Sequence, residues 1–196
     1  SIFELQVLGF KRRFSGSKAN TTDKFRIGSN TKTITSYIAT VLVKQGKINW
    51  ETKFFDLYPE LKTKWNPAYY DLTLQEFLTF RANTIKWSYG NKTPTKKEIK
   101  GNSQQQRYSF IGWILQQDPV AEKQDLYWSN PSYVAAALML EKATGKNYET
   151  LVAEFGQELK IQFEFGQPNL KDKNQPWGHD EKLKPEKPAL NYKLNW

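Results

Sequence analysis

Stretches in which apolar residues recur at a fixed interval alternate along this chain with stretches in which they do not. Ile2–Phe10 is apolar and strand-like, Lys11-Arg12-Arg13-Phe14 continues that strand or its partner, and Ser15-Gly16-Ser17 marks a turn. From Asn30 to Gln45 the interval becomes helical. Ile34, Ile38, Val41 and Leu42 share one face, and Gly46 stands where a helix C-terminal glycine belongs. Thr73-Leu74-Gln75-Glu76 has the spacing of a capping box and precedes Phe77 and Leu78, which predicts a short helix. Gly90 to Gln106 is polar almost throughout and predicts a long surface excursion. Apolar residues then return at helical intervals from Arg107 to Gln117 through Tyr108, Ile111 and Leu115. A further helix is expected from Pro131 to Ala143, with Pro131 in its first turn, Tyr133, Ala137 and Leu140 inward, and Gly145 closing it. Tyr148–Phe155 predicts another short helix that buries Leu151, Val152 and Phe155. Past Gln162 the pattern dissolves: Gly166 to Pro188 holds four prolines and few aliphatic residues, so irregular structure is expected there.

This pattern divides the chain into strands over about 1–28, a helical region over about 29–160 and an irregular segment over about 161–196. It has no internal repeat. The fold class expected is α+β, although a sheet made from the first residues alone is too thin to bury its own face. The chain opens at Ser1 without an initiator Met or a leader, and it ends mid-pattern on Tyr192-Lys193-Leu194-Asn195-Trp196. A processed start and a continuation beyond the end are therefore expected.

Composition narrows the chemistry. With 38% hydrophobic residues and 29 aromatics, the chain is not wholly disordered, and at 22.9 kDa it can bury about 70% of its surface without a disulfide staple. No run approaches the length of a transmembrane helix. The absence of cysteine excludes a thiol nucleophile, an iron–sulfur cluster and a thiolate zinc site. A single histidine, His179, excludes a three-histidine metal site and reads as structural, so no cofactor or metal is expected. The net charge of +9 raises the question of an anionic partner. Lys11, Arg12, Arg13, Lys18, Lys24, Arg26 and Lys32 face only Asp23 in their stretch, and Lys92, Lys96, Lys97 and Lys100 form a second group. No helix-turn-helix, RNP-like or zinc-finger spacing accompanies them, so the charge reads as a solvated basic surface and no specific nucleic-acid partner is expected.

The sharpest chemical candidate is Phe25-Arg26-Ile27-Gly28-Ser29-Asn30-Thr31-Lys32, a Ser-x-x-Lys at the start of the first helix. A serine hydroxyl is a poor nucleophile until a base takes its proton. A lysine three residues on lies one turn away on the same face, and burial can lower its pKa enough to serve. The four residues alone are weak evidence. Ser15-Gly16-Ser17-Lys18 has the same spacing in a turn, and the four residues by themselves favour Ser29 as a plain N-cap.

Wider context changes that balance. The Ser29 segment, Val43-Lys44-Gln45-Gly46-Lys47-Ile48, Asp56-Leu57-Tyr58-Pro59-Glu60-Leu61 and Leu72-Thr73-Leu74-Gln75-Glu76-Phe77-Leu78 follow one another in order. Trp128-Ser129-Asn130-Pro131-Ser132-Tyr133, Leu140-Glu141-Lys142-Ala143-Thr144-Gly145 and Gln175-Pro176-Trp177-Gly178-His179 come after them. Together these segments resemble the serine β-lactamase and penicillin-binding-protein superfamily, closest to its class C and esterase-like branch, over most of residues 24–180. The resemblance implies a β-lactamase-like fold in which an antiparallel sheet is flanked by a mostly helical region. It also implies that this chain is the N-terminal part, with the C-terminal strands absent from it and supplied by a further segment or chain.

The same resemblance implies roles. Ser29 matches the acylated nucleophile and Lys32 the lysine that takes its proton. Trp128-Ser129-Asn130 occupies the place of the second motif, Tyr-x-Asn. Asn130, which would hold the substrate amide and the lysine, is retained, but Trp128 stands where the proton-relaying tyrosine belongs and has no titratable oxygen. Tyr127 substitutes only if the register shifts by one. The Ser-His-x-x-Gly turn is replaced by Thr79-Phe80-Arg81-Ala82-Asn83, where Asn83 can still adopt the left-handed backbone of the glycine. No copy of the third motif, Lys-Thr-Gly or His-x-Gly, is found, and with it goes one expected oxyanion-hole N–H. The implied activity is acyl transfer on an amide, β-lactam or ester by a periplasmic or secreted serine hydrolase. The competing reading is a catalytically impaired relative that binds peptide or glycan, with Trp87, Tyr89 and Trp113 as candidate stacking surfaces.

Overall fold

The computed structural model describes residues 21–87, 94, 98–120, 126–179, 181–182 and 184–185. The expected strand over Ile2–Phe10 and its continuation to Phe14 lie outside these residues. Residues 21–28, assigned above to the strand region, form no strand, and among the described residues only isolated bridges occur, at Lys53–Thr73 and His179–Pro185. The sheet expected from the resemblance is therefore not seen in the described part, which is helical.

The chain divides into two compact units, Ser29–Phe165 with Asn191–Trp196, and Ser1–Gly28 with Gly166–Leu190. In the larger unit α1 runs over Thr31–Lys44, α2 over Phe54–Leu57, α3 over Leu74–Leu78, α4 over Ser103–Ile114, α5 over Asn130–Thr144 and α6 over Tyr148–Leu159. In the smaller, the short α7 spans Pro168–Lys171 within the segment expected to be irregular, and the Lys24 backbone N–H donates to Gln175 Oε1 at 2.8 Å.

The centre of the larger unit is α5. Every residue from Pro131 to Glu141 is buried, because α1, α2, α3, α4 and α6 all pack against it. Its sequence carries apolar or small residues on every side, as a helix surrounded by others requires, so the one-sided stripe expected from Tyr133, Ala137 and Leu140 is too narrow. Pro131 sits in the first turn, and Gly145 closes the helix at φ +70°, a conformation costly for any residue with a Cβ.

The local signals act as their chemistry dictates. Thr73 caps α3 in a complete capping box: its hydroxyl accepts the Glu76 N–H at 3.2 Å, and Glu76 accepts the Thr73 N–H at 2.8 Å. Asn102 and Gln105 form a second box at the start of α4, at 2.9 Å in both directions. That box shortens the polar excursion expected over Gly90–Gln106. The helix begins at Ser103 and Ile99 is buried, whereas residues 88–93 and 95–97 lie outside the described set. Polar residues dominate the first turns of α4, which hides the helix from a search for apolar periodicity.

One charged cluster lies inside this core. Arg107 on α4 is fully buried and donates to Glu141 on α5 at 2.5 Å and to both carboxylate oxygens of Glu149 at 3.0 and 2.9 Å. Glu141 Oε1 also accepts the Tyr148 backbone N–H at 2.7 Å, tying the first turn of α6 to the end of α5.

Candidate active site

The chain enters α1 through a 3-10 turn over Gly28–Asn30, which Gly28 begins at φ +50°. That turn leaves Ser29 exposed while α1 buries Lys32 one turn later. The helix cap is Asn30, and it makes no side-chain capping bond, so Ser29 is not the N-cap of this helix. Its hydroxyl instead accepts from Lys32 Nζ at 3.2 Å.

Lys32 reaches a second partner across the unit. Its Nζ donates to Asn130 Oδ1 at 2.9 Å, and Asn130 Nδ2 in turn donates to the Trp87 carbonyl at 3.1 Å. The bond to Trp87 fixes which end of the amide faces the lysine. Only 5% of Lys32 is exposed, and this burial lowers its pKa to about 8. Two aromatic rings also border the ammonium, Trp128 at 5.4 Å and Tyr133 at 5.6 Å from their centroids. A cation over a ring face is stabilised, which opposes the desolvation.

The structure thus brings Ser29, Lys32, Asn130 and Trp128 together although they come from the turn before α1, from α1 itself, and from the entry and first residue of α5. Tyr127 is placed differently. Its backbone N–H donates to the Phe80 carbonyl at 2.8 Å, and its ring lies under Lys86 Nζ at 4.8 Å. The register that puts Trp128 against Lys32 is the unshifted one. Of the expected stacking residues, Trp87 is buried against Phe110, Trp113 packs on the core, and Tyr89 lies outside the described residues. His179 belongs to the smaller unit, in its bridge to Pro185.

Several supporting residues escape a reading of the sequence. Ser129 Oγ lies 2.7 Å from Thr84 Oγ1 and donates to the Ile85 carbonyl at 3.1 Å, while Thr84 also meets Ser132 Oγ at 3.3 Å. This hydroxyl cluster anchors the start of α5 and with it Asn130. The Tyr133 hydroxyl donates to the Leu78 carbonyl at 2.9 Å and lies 3.2 Å from Ser36 Oγ on α1. Its position three residues after Asn130 was the available signal, since that spacing shares a helix face. The turn after α3 places Phe80 at φ +59° and Asn83 at φ +52°, so Asn83 does adopt the left-handed conformation expected of it. Among the described residues no three His, Asp or Glu side chains converge as metal ligands would.

The Beta-lactamase family model matches residues 3–194. The chain belongs to the beta-lactamase family. Solved members of related kind share the fold at low identity. FmtA from Staphylococcus aureus is 19% identical with a TM-score of 0.70, over 95% of this chain and 51% of its own. A class C beta lactamase from Rhodobacter sphaeroides is 15% identical with a TM-score of 0.69, over 94% of this chain and 51% of its own. The octameric penicillin-binding protein homologue from Pyrococcus abyssi is 18% identical with a TM-score of 0.72, over 95% of this chain and 44% of its own. This beta-lactamase family chain therefore spans about half the length of the structures it resembles. No protein of curated function matches it. Among its described residues no helix is long and apolar enough to cross a membrane.

Proposed function

We propose that this protein is a serine hydrolase that transfers the acyl group of an amide, β-lactam or ester to Ser29. The observation that carries the reading is the position of Lys32 Nζ, between Ser29 Oγ at 3.2 Å and Asn130 Oδ1 at 2.9 Å. With a pKa of about 8, roughly a fifth of the lysine is neutral at pH 7.4 and can accept a proton. The Ser29 proton passes to Lys32 as Oγ bonds to the substrate carbonyl carbon. Lys32 then returns the proton to the leaving group as its bond to that carbon breaks, and water later frees the acyl group. The start of α1 adds positive potential where the oxyanion develops. Asn130 holds the lysine and offers its amide to the substrate. The family resemblance supports the nucleophile, base and amide roles, and it supports a periplasmic or secreted location.

A C-terminal segment or chain completes the fold in this reading and supplies the second oxyanion-hole N–H. The half-length match to solved relatives supports it. The experiment is labelling with a fluorophosphonate and a fluorescent β-lactam. Parent protein is expected to label at Ser29, Ser29→Ala to lose the label, and Ser15→Ala to keep it. Equal labelling of Ser29→Ala overturns the reading.

One observation favours the alternative of an impaired relative that binds peptide or glycan. Trp128 brings no titratable oxygen to the tyrosine position and lies against the lysine at 5.4 Å, where its ring stabilises the ammonium rather than the neutral base. Absence of labelling, with retention on immobilised peptidoglycan fragments, decides for that alternative.

A further inference from the structure

Two departures from the family pattern, separated by 47 intervening residues in the sequence, meet in space. Phe80 stands where the resemblance places a histidine, and Trp128 where it places the second-motif tyrosine. Their rings stack with centroids 4.4 Å apart and planes 26° apart. Phe80 is held there from two sides, by the Tyr127 N–H on its carbonyl at 2.8 Å and by the Tyr133 ring at 5.3 Å. Half of Trp128 remains exposed. The indole also borders the reacting groups, since Lys32 Nζ lies 5.4 Å from its centroid and 3.2 Å from Ser29 Oγ.

A tyrosine and a histidine at these places would present polar atoms. The pair found here presents carbon-rich ring atoms, half of the indole being exposed, and aromatic rings prefer to meet other rings offset or edge-on. The polar groups beside it, Ser29, Lys32 and Asn130, are engaged with one another, which suits an apolar ring better than a hydroxyl-rich sugar.

We propose that Phe80 and Trp128 form a shelf for the acyl side of the substrate, selecting acyl groups that carry an aryl ring over purely aliphatic ones. The proposal rests on the reading of Ser29 as nucleophile. In the reaction the Ser29 Oγ–carbonyl carbon bond forms, the bond to the leaving group breaks, and the serine proton ends on the leaving group by way of Lys32. The aryl ring undergoes no chemistry and contributes only contact.

The test uses phenylacetyl and acetyl thioesters of mercaptoacetate, which share a small charged leaving group, and follows acylation by intact mass. The parent protein is expected to react at least about ten times faster with the phenylacetyl thioester, the scale of one well-buried apolar group in a specificity pocket. Trp128→Ala and Phe80→Leu should each bring that ratio to within about twofold of unity. Circular dichroism establishes folding, and Phe80→Leu keeps apolar bulk without a ring in case Trp128→Ala unfolds. A second arm measures phenylacetamide binding to Ser29→Ala by calorimetry, so the shelf is tested without acylation. Binding that is lost in Ser29→Ala/Trp128→Ala supports the shelf even if no variant is acylated, an outcome that sinks the nucleophile alone. A ratio near one in the parent, or a ratio unchanged in both shelf variants, overturns the proposal, as does phenylacetamide binding indifferent to Trp128.

Discussion

Under the proposed acyl-transfer reading, Lys32 concentrates the conflict between stability and chemistry in one side chain. Its pKa is about 8 in the folded chain against 10.5 when unperturbed, and desolvation is the cause. Between those values the unfolded chain binds the more protons, so folding stability rises with pH across that window and the lysine is a net cost below it. Lys32→Met is expected to stabilise the protein at pH 7 by about 1–3 kcal/mol, to flatten the pH dependence of urea unfolding between pH 8 and 10.5, and to end acylation. In the parent, the acylation rate should climb with pH and level off above about 8 as the amine becomes neutral, which a stopped-flow pH profile with a chromogenic ester reads directly. Trp128→Tyr replaces a ring that stabilises the ammonium with one that carries a titratable oxygen. Ser29 acylation is expected to accelerate, by up to the 10²-fold at the low end of general acid–base help. No acceleration would mean that the tyrosine oxygen has no role at this position.

The elements were legible wherever a local rule specified them. Thr73 and Glu76 announced α3 through capping chemistry, and both reciprocal bonds are present. Thr73→Ala should therefore cost about 1 kcal/mol, visible as a lower urea midpoint with an unchanged slope. Pro131 and Gly145 bracketed α5, and the stripe from Ile34 to Leu42 announced α1. α4 was legible only from Arg107 onward, because Gln104, Gln105 and Gln106 carry no apolar period and its Asn102–Gln105 box uses residues less diagnostic than Thr and Glu. For α5, periodicity identified a helix but not its depth. A chain of Ala, Val, Leu and Met on all sides is compatible with one buried face or with several, and only the neighbours decide.

At the scale of the molecule, the Arg107 cluster couples α4, α5 and α6 through long-range bonds. Breaking it leaves Glu141 buried without its cation, so Arg107→Met is expected to cost about 3–5 kcal/mol in denaturant unfolding. Adding Glu141→Gln should recover part of that loss, because a neutral amide oxygen still accepts the Tyr148 N–H. By itself the sequence determined the spacing of Ser29 and Lys32, the caps of α3 and α5 and the order of motifs that marks the family, because each depends on residues a few positions apart or on their succession. Only the tertiary structure decided that Lys32 spans Ser29 and Asn130, that Trp128 rather than Tyr127 meets the amine, and that Phe80 stacks on Trp128. Those facts depend on how α1, the turn after α3 and the start of α5 converge. That convergence is set by burial around α5 and by the Thr84–Ser129–Ser132 hydroxyls, which no local spacing encodes.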